Sequence, residues 1–219
     1  MKDTQHAVML EKAVYNYCEG HSTALDKVLY ELQRETHLKT LAPQMLSGQL
    51  LGQLLTNITR MKNVKRALEI GTFTGFSAIC IAKGLASDGM LTTLEANPET
   101  GHIARKYFQK AGLEDRIDLR YGDALKIIPQ LSGPFELVFI DANKREYPDY
   151  YKTVVPLVSV GGTILVDNVL WDKKVLDPAG DLDAEAVHSF NESIIKDPRV
   201  EVLMLPVRDG FSVITKLSE

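Results

Sequence analysis

The chain has 219 residues, of which 45% are hydrophobic and 25% charged, and its formal net charge is -4. This composition is typical of a soluble globular protein with one large α/β domain, and the weak negative charge does not favour nucleic acid or an anionic membrane as a partner. The only two cysteines, Cys18 and Cys80, lie too far apart for a Cys-x-x-Cys motif, and the polar amino terminus lacks the apolar core of a signal sequence. We therefore expect a cytoplasmic protein with reduced cysteines.

Residues 1–62 are predicted to be helical and to precede the first strand. Ser22 or Thr23 is a candidate N-cap for a helix whose apolar residues recur at i, i+3, i+4 and i+7. No linker rich in Gly, Ser or Pro follows these helices. We therefore predict a single domain, 1–219, in which the helices cover a core that spans 63–219.

Predicted strands and helices alternate in the rest of the chain. Seven segments have the short apolar runs of strands: 64–70, 91–95, 117–121, 135–140, 163–166, 200–205 and 211–216. Helices are predicted between them, including 147–158 and 183–196. This alternation predicts an α/β fold with a mostly parallel sheet, helices on both faces and an antiparallel ribbon formed by the last two strands.

A glycine turn follows the first predicted strand, in the sequence Glu69-Ile70-Gly71-Thr72-Phe73-Thr74-Gly75. Sheets of this class bind nucleotides at such turns, because glycine lets a ligand approach the backbone and the next helix offers free N–H groups. The spacing is G-x-x-x-G, so Phe73 stands where the dinucleotide fingerprint has its middle glycine, and Glu69 would repel a phosphate. The turn therefore favours a ligand that carries a cation, such as S-adenosylmethionine. A strand, turn and helix without a ligand is the alternative.

Glu95 ends the second predicted strand, 26 residues after Glu69. In nucleotide-binding folds of this class, a carboxylate at this point accepts hydrogen bonds from the ribose hydroxyls. We predict that role for Glu95. The alternative is that its side chain caps the helix that begins near Pro98.

Four polar residues follow the fourth and fifth predicted strands, namely Asp141, Lys144, Asp167 and Asn168. Two carboxylates and an amide oxygen form an all-oxygen set that suits a hard cation such as Mg2+. A divalent cation disfavours the ammonium form of a neighbouring lysine, so Lys144 is a candidate general base. In the alternative, Asp141 and Lys144 form a surface ion pair and Asp167-Asn168 is a turn. Trp171 is interpreted as the wall of an aromatic pocket, with a core position as the alternative.

On these motifs, the chain resembles the cation-dependent O-methyltransferases, which include catechol O-methyltransferase and caffeoyl-CoA O-methyltransferase, and above all their bacterial members. The resemblance extends from about Arg34 to Lys216. The matching stretches are Met45-Leu46-Ser47, Gly52-Gln53, Glu69 to Ser77, Glu95-Ala96-Asn97-Pro98, Ala111-Gly112-Leu113, Gly122-Asp123-Ala124, Asp141-Ala142-Asn143-Lys144, Gly161-Gly162 and Asp167-Asn168-Val169-Leu170-Trp171. Each stretch alone is a weak signal, whereas the ordered set is specific.

The resemblance implies a Rossmann-like class I methyltransferase fold, S-adenosylmethionine as the cofactor and a homodimer. The cofactor-binding residues that it implies are Met45, Ser47, Glu69, Gly71, Thr72, Phe73, Ser77, Glu95, Ala96, Gly122, Asp123, Ala124 and Asp141. It also implies that Asp141, Asp167 and Asn168 bind Mg2+, or another divalent cation such as Mn2+ or Ca2+. Lys144 would deprotonate one hydroxyl of a catechol or of its CoA ester, and Asn168 and Trp171 would contact this substrate.

These motifs do not determine the acceptor. The segments expected to shape its pocket, 1–40 and 172–183, match poorly. Asn143 stands where plant relatives carry Asp, but this side chain is expected to lie away from the metal, so the difference does not count against the resemblance. An acyl-CoA ester, a free catechol, a flavonoid and another secondary metabolite therefore stay open as small-molecule partners. Two further functions compete: an NAD-dependent oxidoreductase of the same fold class, which Phe73 disfavours, and a cofactor-binding module without catalysis, which the polar residues at the strand ends disfavour.

Overall fold

The computed structural model describes residues 12–219, and its centre is a seven-stranded sheet. The strands are β1 (Arg66–Ile70), β2 (Met90–Glu95), β3 (Ile117–Tyr121), β4 (Phe135–Ile140), β5 (Val158–Asp167), β6 (Val200–Leu205) and β7 (Phe211–Lys216). Their order across the sheet is β3-β2-β1-β4-β5-β7-β6. β7 is antiparallel to both of its neighbours, and the other neighbouring strands are parallel. The predicted fold class and the antiparallel last strand are confirmed.

Helices cover both faces of this sheet. They are α1 (12–20), α2 (Lys27–Lys39), α3 (Gly48–Met61), α4 (Phe76–Gly84), α5 (Gly101–Lys110), α6 (Ala124–Ile127), α7 (Tyr147–Val154) and α8 (Leu182–Ile194). Successive strand residues point to opposite faces, so Leu137 and Phe139 of β4 pack with α2 to α5, while Val138 and Ile140 pack with α6 to α8. Within residues 12–219, none of the helices is long and apolar enough to cross a membrane.

The N-cap of α2 is Asp26, so the prediction of Ser22 or Thr23 was wrong. The Asp26 carboxylate accepts a hydrogen bond from the main-chain N–H of Leu29 at 3.0 Å, and it also pairs with Lys83 of α4. A capping side chain must directly precede the first helical residue to reach the free N–H groups of the first turn. The first helical residue is Lys27, so Thr23 lies too early in the chain for this contact.

The boundary between α7 and β5 also differs from the prediction. The helix ends at Val154, where a 3-10 turn (Val155–Leu157) leads directly into β5 at Val158. Pro156 lacks the N–H that a continuing helix needs. The strand therefore begins five residues earlier than predicted, and its pairing with β4 is irregular in this first part.

Glu35 of α2 connects this helix to α5. Its carboxylate accepts hydrogen bonds from Lys106 Nζ (2.5 Å), from the Tyr107 hydroxyl (2.9 Å) and from Lys39 Nζ (2.9 Å). The ammonium groups of Lys106 and Lys39 lower the pKa of Glu35 to about 2. A carboxylate with a lowered pKa stabilises the folded state at neutral pH.

Replacing Glu35 by Gln is expected to lower the free energy of unfolding at pH 7 by about 1–2 kcal/mol, because hydrogen bonds to a charged group are lost. The stabilisation is present above the unfolded pKa of about 4.3 and is lost as the pH falls towards the folded value of about 2. Urea unfolding of the wild type and Glu35→Gln should therefore differ by a constant amount above about pH 5 and by less at about pH 3. Glu31→Gln, which removes a more exposed partner of Lys110 on the same helix, is the control with a smaller effect. A difference that does not change with pH would contradict this account.

Candidate active site

A cavity of about 1030 Å³, the central cavity, lies beyond the carboxyl ends of the parallel strands. It is next to β1 and β4, where the strand order reverses, which is the usual ligand position in such sheets. Most of the residues predicted from the sequence line it: Met45, Ser47, Gly71, Thr72, Phe73, Ser77, Glu95, Ala96, Gly122, Asp123, Ala124, Asp141, Lys144, Asn168 and Trp171. The two exceptions are Glu69 and Asp167, whose side chains are buried beside the cavity and do not form part of its wall.

The glycine turn after β1 is held between the neighbouring strands. The N–H of Gly71 donates to the carbonyl oxygen of Leu94 at 2.9 Å, and the N–H of Asp141 donates to that of Ile70 at 2.9 Å. Gly71 has φ +101°, and a Cβ at this position would lie 2.0 Å from the carbonyl oxygen of Asp141. Only glycine fits here, since the turn packs directly against the end of β4.

Replacing Gly71 by Ala is expected to lower the free energy of unfolding by about 3 kcal/mol or more and to weaken binding of the predicted cofactor, because the turn must move away from β4. Gly112→Ala is the matched control. Gly112 also has a positive φ of +64°, but no atom lies within 4 Å of the added Cβ, so only the backbone cost of about 1–2 kcal/mol remains. Thermal unfolding and calorimetric titration with S-adenosylmethionine would measure both effects. Equal losses in the two variants would mean that the packing against β4 is unimportant.

Glu69 is fully buried at the end of β1. Its Oε2 accepts a hydrogen bond from the Thr93 hydroxyl at 2.5 Å, and its Oε1 has no partner among the described residues. Burial raises the pKa of Glu69 to about 8, although the neighbouring hydroxyl groups of Ser77 and Thr93 act to lower it. An acceptor oxygen without a partner at this depth fits a ligand that brings a hydrogen-bond donor or a positive charge.

Glu95, at the end of β2, forms hydrogen bonds with the main chain of the glycine turn. Its Oε2 accepts from the main-chain N–H groups of Thr72 (3.1 Å) and Phe73 (2.6 Å), and its Oε1 accepts from that of Asn97 (2.8 Å). Glu95 thus contacts the residue just before the following turn, as the capping alternative expects. The N-cap of that turn is Asn97, however, and not Glu95. A carboxylate has about four lone-pair positions, so capacity for a ribose hydroxyl remains.

Lys144 lies in the wall of the central cavity between an acid and a phenol. Its Nζ is 2.8 Å from Oδ1 of Asp141 and 2.6 Å from the hydroxyl oxygen of Tyr147, and it lies 5.9 Å from the ring centre of Trp171. The Tyr147 hydroxyl donates to the main-chain oxygen of Asp167 at 2.9 Å. Burial and then the charge of Asp141 raise the pKa of Tyr147 well above its usual value, so it stays a neutral phenol. The ion pair of Asp141 and Lys144, which the alternative placed at the surface, is present. It is not a surface pair, because only 10% of the lysine side chain is exposed.

Asp167 is buried at the end of β5, beside β4 and its following Asp141. Its Oδ2 accepts from Arg208 at 3.2 Å, and its Oδ1 has no partner among the described residues. Burial, followed by the charge of Asp141, raises the pKa of Asp167 to about 6, although Arg208 opposes this shift. The next residue, Asn168, has φ +59° and lines the cavity.

These side chains fit a divalent cation by their chemistry. The unpartnered Oδ1 of Asp167 and the carboxylate of Asp141 are oxygen donors, and the amide of Asn168 adds a third. Within residues 12–219, no group of three or more His, Cys, Asp and Glu side chains is arranged to hold a metal. A cation at this position would therefore depend on the amide oxygen of Asn168 as well as on the two carboxylates.

Trp171 lies in the wall of the central cavity and also contacts the core, so its role in an aromatic pocket stays a prediction. The side chain is half-buried, packs on the core between the sheet and α6 to α8, and faces the cavity together with Lys144. The sequence did not single out Thr93 and Tyr147. Thr93 pairs with Glu69 in the register of β1 and β2, and Tyr147 follows Lys144 by three residues, which is one helical turn. The local signals for them are the cross-strand position of Thr93 opposite Glu69 and the position of Tyr147 one helical turn after Lys144.

Comparisons with known proteins identify relatives over nearly the whole chain. A family model described as O-methyltransferase matches residues 19–217. Caffeoyl-CoA O-methyltransferase 1 of Eucalyptus globulus is 37% identical over 182 residues, covering 76% of this chain and 73% of the relative. Caffeoyl-CoA O-methyltransferase 2 of Populus trichocarpa is 35% identical over 182 residues, covering 76% and 72%.

Solved structures agree with this result. The SAH-bound methyltransferase PaMTH1 of Podospora anserina has a TM-score of 0.89 and 32% identity, and the match covers 95% of each chain. The O-methyltransferase of Bacillus cereus in complex with SAH has a TM-score of 0.88 and 31% identity, with 93% of this chain and 97% of that chain covered. The fold is thus shared with methyltransferases that were solved with bound SAH.

Proposed function

The chain belongs to the O-methyltransferase family, and we propose that it transfers the methyl group of S-adenosylmethionine to one hydroxyl of a vicinal dihydroxy aromatic compound, or of its CoA ester, with a divalent cation. The alternative of an NAD-dependent oxidoreductase has no support in the family match. The proposal includes a homodimer in the cytoplasm with a small aromatic molecule as its substrate.

The central cavity supports S-adenosylmethionine as the methyl donor. Two relatives of similar structure were solved with SAH, the product that remains after methyl transfer. The acidic side chains Glu69, Glu95 and Asp141 lie at or beside the cavity and suit a ligand with an ammonium group, ribose hydroxyls and a sulfonium. S-adenosylmethionine supplies an electrophilic methyl group on positively charged sulfur, and the protein's part is to align it with the acceptor oxygen.

The observation that carries the proposal is the arrangement at the ends of the adjacent strands β4 and β5. Asp141 and Asp167 follow these strands, and Lys144 lies 2.8 Å from Asp141 in the same wall. Asp141, Asp167 and Asn168 would hold a divalent cation, whose chemistry is to draw in neighbouring hydroxyl oxygens and lower their pKa.

Lys144 would accept the proton of the reacting hydroxyl. Only 10% of its side chain is exposed, so bulk water competes little for it, while its position in the cavity wall leaves it within reach of an acceptor. The flat side of Trp171, 5.9 Å from Lys144 Nζ, would pack against the aromatic ring of that acceptor. S-adenosylmethionine would supply the methyl group: its bond to sulfur would break as the bond to the deprotonated acceptor oxygen forms, and S-adenosylhomocysteine would leave, while Trp171 keeps the aromatic ring in one orientation.

The substrate class can be tested with isomeric diphenols. Catechol and caffeic acid are expected to be methylated at least about 10²-fold faster than resorcinol, because only neighbouring hydroxyls can both be held beside Asp141, Asp167 and Asn168. Chromatographic detection of the methylated products with S-adenosylmethionine and Mg2+ measures the rates. Resorcinol turnover equal to that of catechol would refute the vicinal diol as the substrate, and no turnover with bound cofactor would refute the acceptor class.

A further inference from the structure

The hydroxyl of Tyr147 lies between Lys144 and the end of β5. Its oxygen is 2.6 Å from Lys144 Nζ and 2.9 Å from the main-chain oxygen of Asp167. A carbonyl oxygen carries no hydrogen, so the hydroxyl must donate its single proton to Asp167. The same hydroxyl oxygen can then only accept a hydrogen bond from Lys144. The direction of both hydrogen bonds therefore follows from the chemistry of the three groups.

Tyr147 is placed behind the catalytic candidate rather than in the cavity. Its side chain is 0% exposed, and its ring packs edge-on against Phe190 of α8 with the ring centres 5.8 Å apart. Lys144 lines the central cavity, whereas Tyr147 does not. A contact between Tyr147 and an acceptor molecule is thus excluded, and any effect of its hydroxyl on the reaction passes through Lys144 or the end of β5.

Two acceptors hold Lys144 in the described structure, Oδ1 of Asp141 and the hydroxyl of Tyr147. Under the proposed function, Asp141 also serves the cofactor and the cation. The hydroxyl of Tyr147 is therefore the acceptor that stays dedicated to Lys144. Because it also bonds to the main chain of Asp167, it connects the lysine directly to the strand end that carries Asp167 and Asn168.

We propose that Tyr147 is a positioning residue for methyl transfer, whose buried hydroxyl holds Lys144 at a fixed place relative to the end of β5. This inference rests on the proposed function of Lys144 as the base. A lysine side chain has a flexible four-carbon stem, and a displacement of a reacting group by about 1 Å can cost about 10² in rate. One hydrogen bond that orients the amine therefore acts on the rate of the chemical step and leaves substrate binding in place.

The test compares Tyr147→Phe with Tyr151→Phe in the full chain. Tyr151 lies on the same helix, packs edge-on against the same Phe190 at 5.9 Å, and bonds through its hydroxyl to Asp197, outside the central cavity. With catechol, S-adenosylmethionine and Mg2+, kcat of Tyr147→Phe should fall about 10- to 100-fold, while KM for both substrates changes by less than about twofold. Tyr151→Phe should keep the kcat of the wild type.

A double-mutant cycle separates positioning from a general structural role. If Tyr147 acts through Lys144, then Tyr147→Phe should cause little further loss of activity in a Lys144→Gln background. A structural role predicts the same fold-loss in both backgrounds. The inference is overturned by such additivity, by an unchanged kcat, or by loss of the folded state in Tyr147→Phe. Full activity of Lys144→Gln would instead refute the proposed base, which distinguishes a failure of the proposed function from a failure of this inference.

Discussion

Removal of divalent cations with EDTA is expected to lower the rate of methyl transfer to catechol by at least about 10²-fold, and added Mg2+ should restore it. Asp141 and Asp167 present two carboxylates at one edge of the sheet, and Asp167 Oδ1 has no partner among the described residues. Without a divalent cation, only Lys144 and Arg208 within residues 12–219 offset the charges of these two carboxylates, and no metal ion lowers the pKa of the acceptor hydroxyl. Activity that is unchanged by EDTA would refute the cation-binding role of Asp141, Asp167 and Asn168.

A pair of variants makes this test specific to the predicted ligands. Asp167→Asn keeps the shape of the side chain but removes the charge, and calorimetric titration should show weaker binding of Mn2+. Asp209→Asn is the matched control, because Asp209 lies in the nearby turn and accepts a hydrogen bond from the main-chain N–H of Asp172. S-adenosylmethionine binding should persist in both variants. Equal Mn2+ binding by both variants would show that Asp167 is not a ligand.

Replacing Lys144 by Gln is expected to lower kcat by about 10²- to 10⁴-fold, since the amide cannot accept the proton of the acceptor hydroxyl. Lys144→Arg should be similarly impaired, because a guanidinium keeps the charge but does not deprotonate in proteins. Steady-state rates with catechol, measured at saturating S-adenosylmethionine and Mg2+, check both variants.

The control for this second prediction is Lys196→Gln. Lys196 belongs to an exposed i,i+4 pair with Glu192 beyond the end of α8, and its side chain is 71% exposed. Its replacement should leave kcat within about twofold of the wild type, because exposed pairs of this kind contribute little. A Lys144→Gln enzyme that retains more than about a tenth of the wild-type kcat would contradict the general-base role.

Much of the fold followed from local patterns in the sequence. The strands 117–121, 135–140, 200–205 and 211–216 have their predicted bounds, because short apolar runs between turn residues are strong local signals. The glycine turn is equally local, since Gly71 and Gly75 both take a positive φ. The predicted position of the cavity at the strand ends followed from the parallel topology alone.

The errors occurred where local signals competed. Ser22 and Thr23 are good capping residues, but the chain begins its helix after Asp26, which is also held by Lys83 of α4. β5 begins before its two glycines, because Val158 already pairs with Phe135 of β4, and the glycines lie in the irregular stretch before Thr163 pairs with Leu137. In both places a contact with a distant segment decided the boundary, and such a contact leaves no trace in the local sequence.

The sequence by itself determined the order of strands and helices, the glycine turn, and the residue types at the strand ends. Only the tertiary structure decided which of these residues touch: Glu69 with Thr93, Lys144 with Tyr147, and Asp167 with Arg208. The local patterns repeat every two or 3.6 residues and can be read along the chain. Asp167 and Arg208 lie 41 residues apart in the chain. Whether they meet depends on the order of β5, β6 and β7 in the sheet, and no local periodicity of the sequence encodes that order.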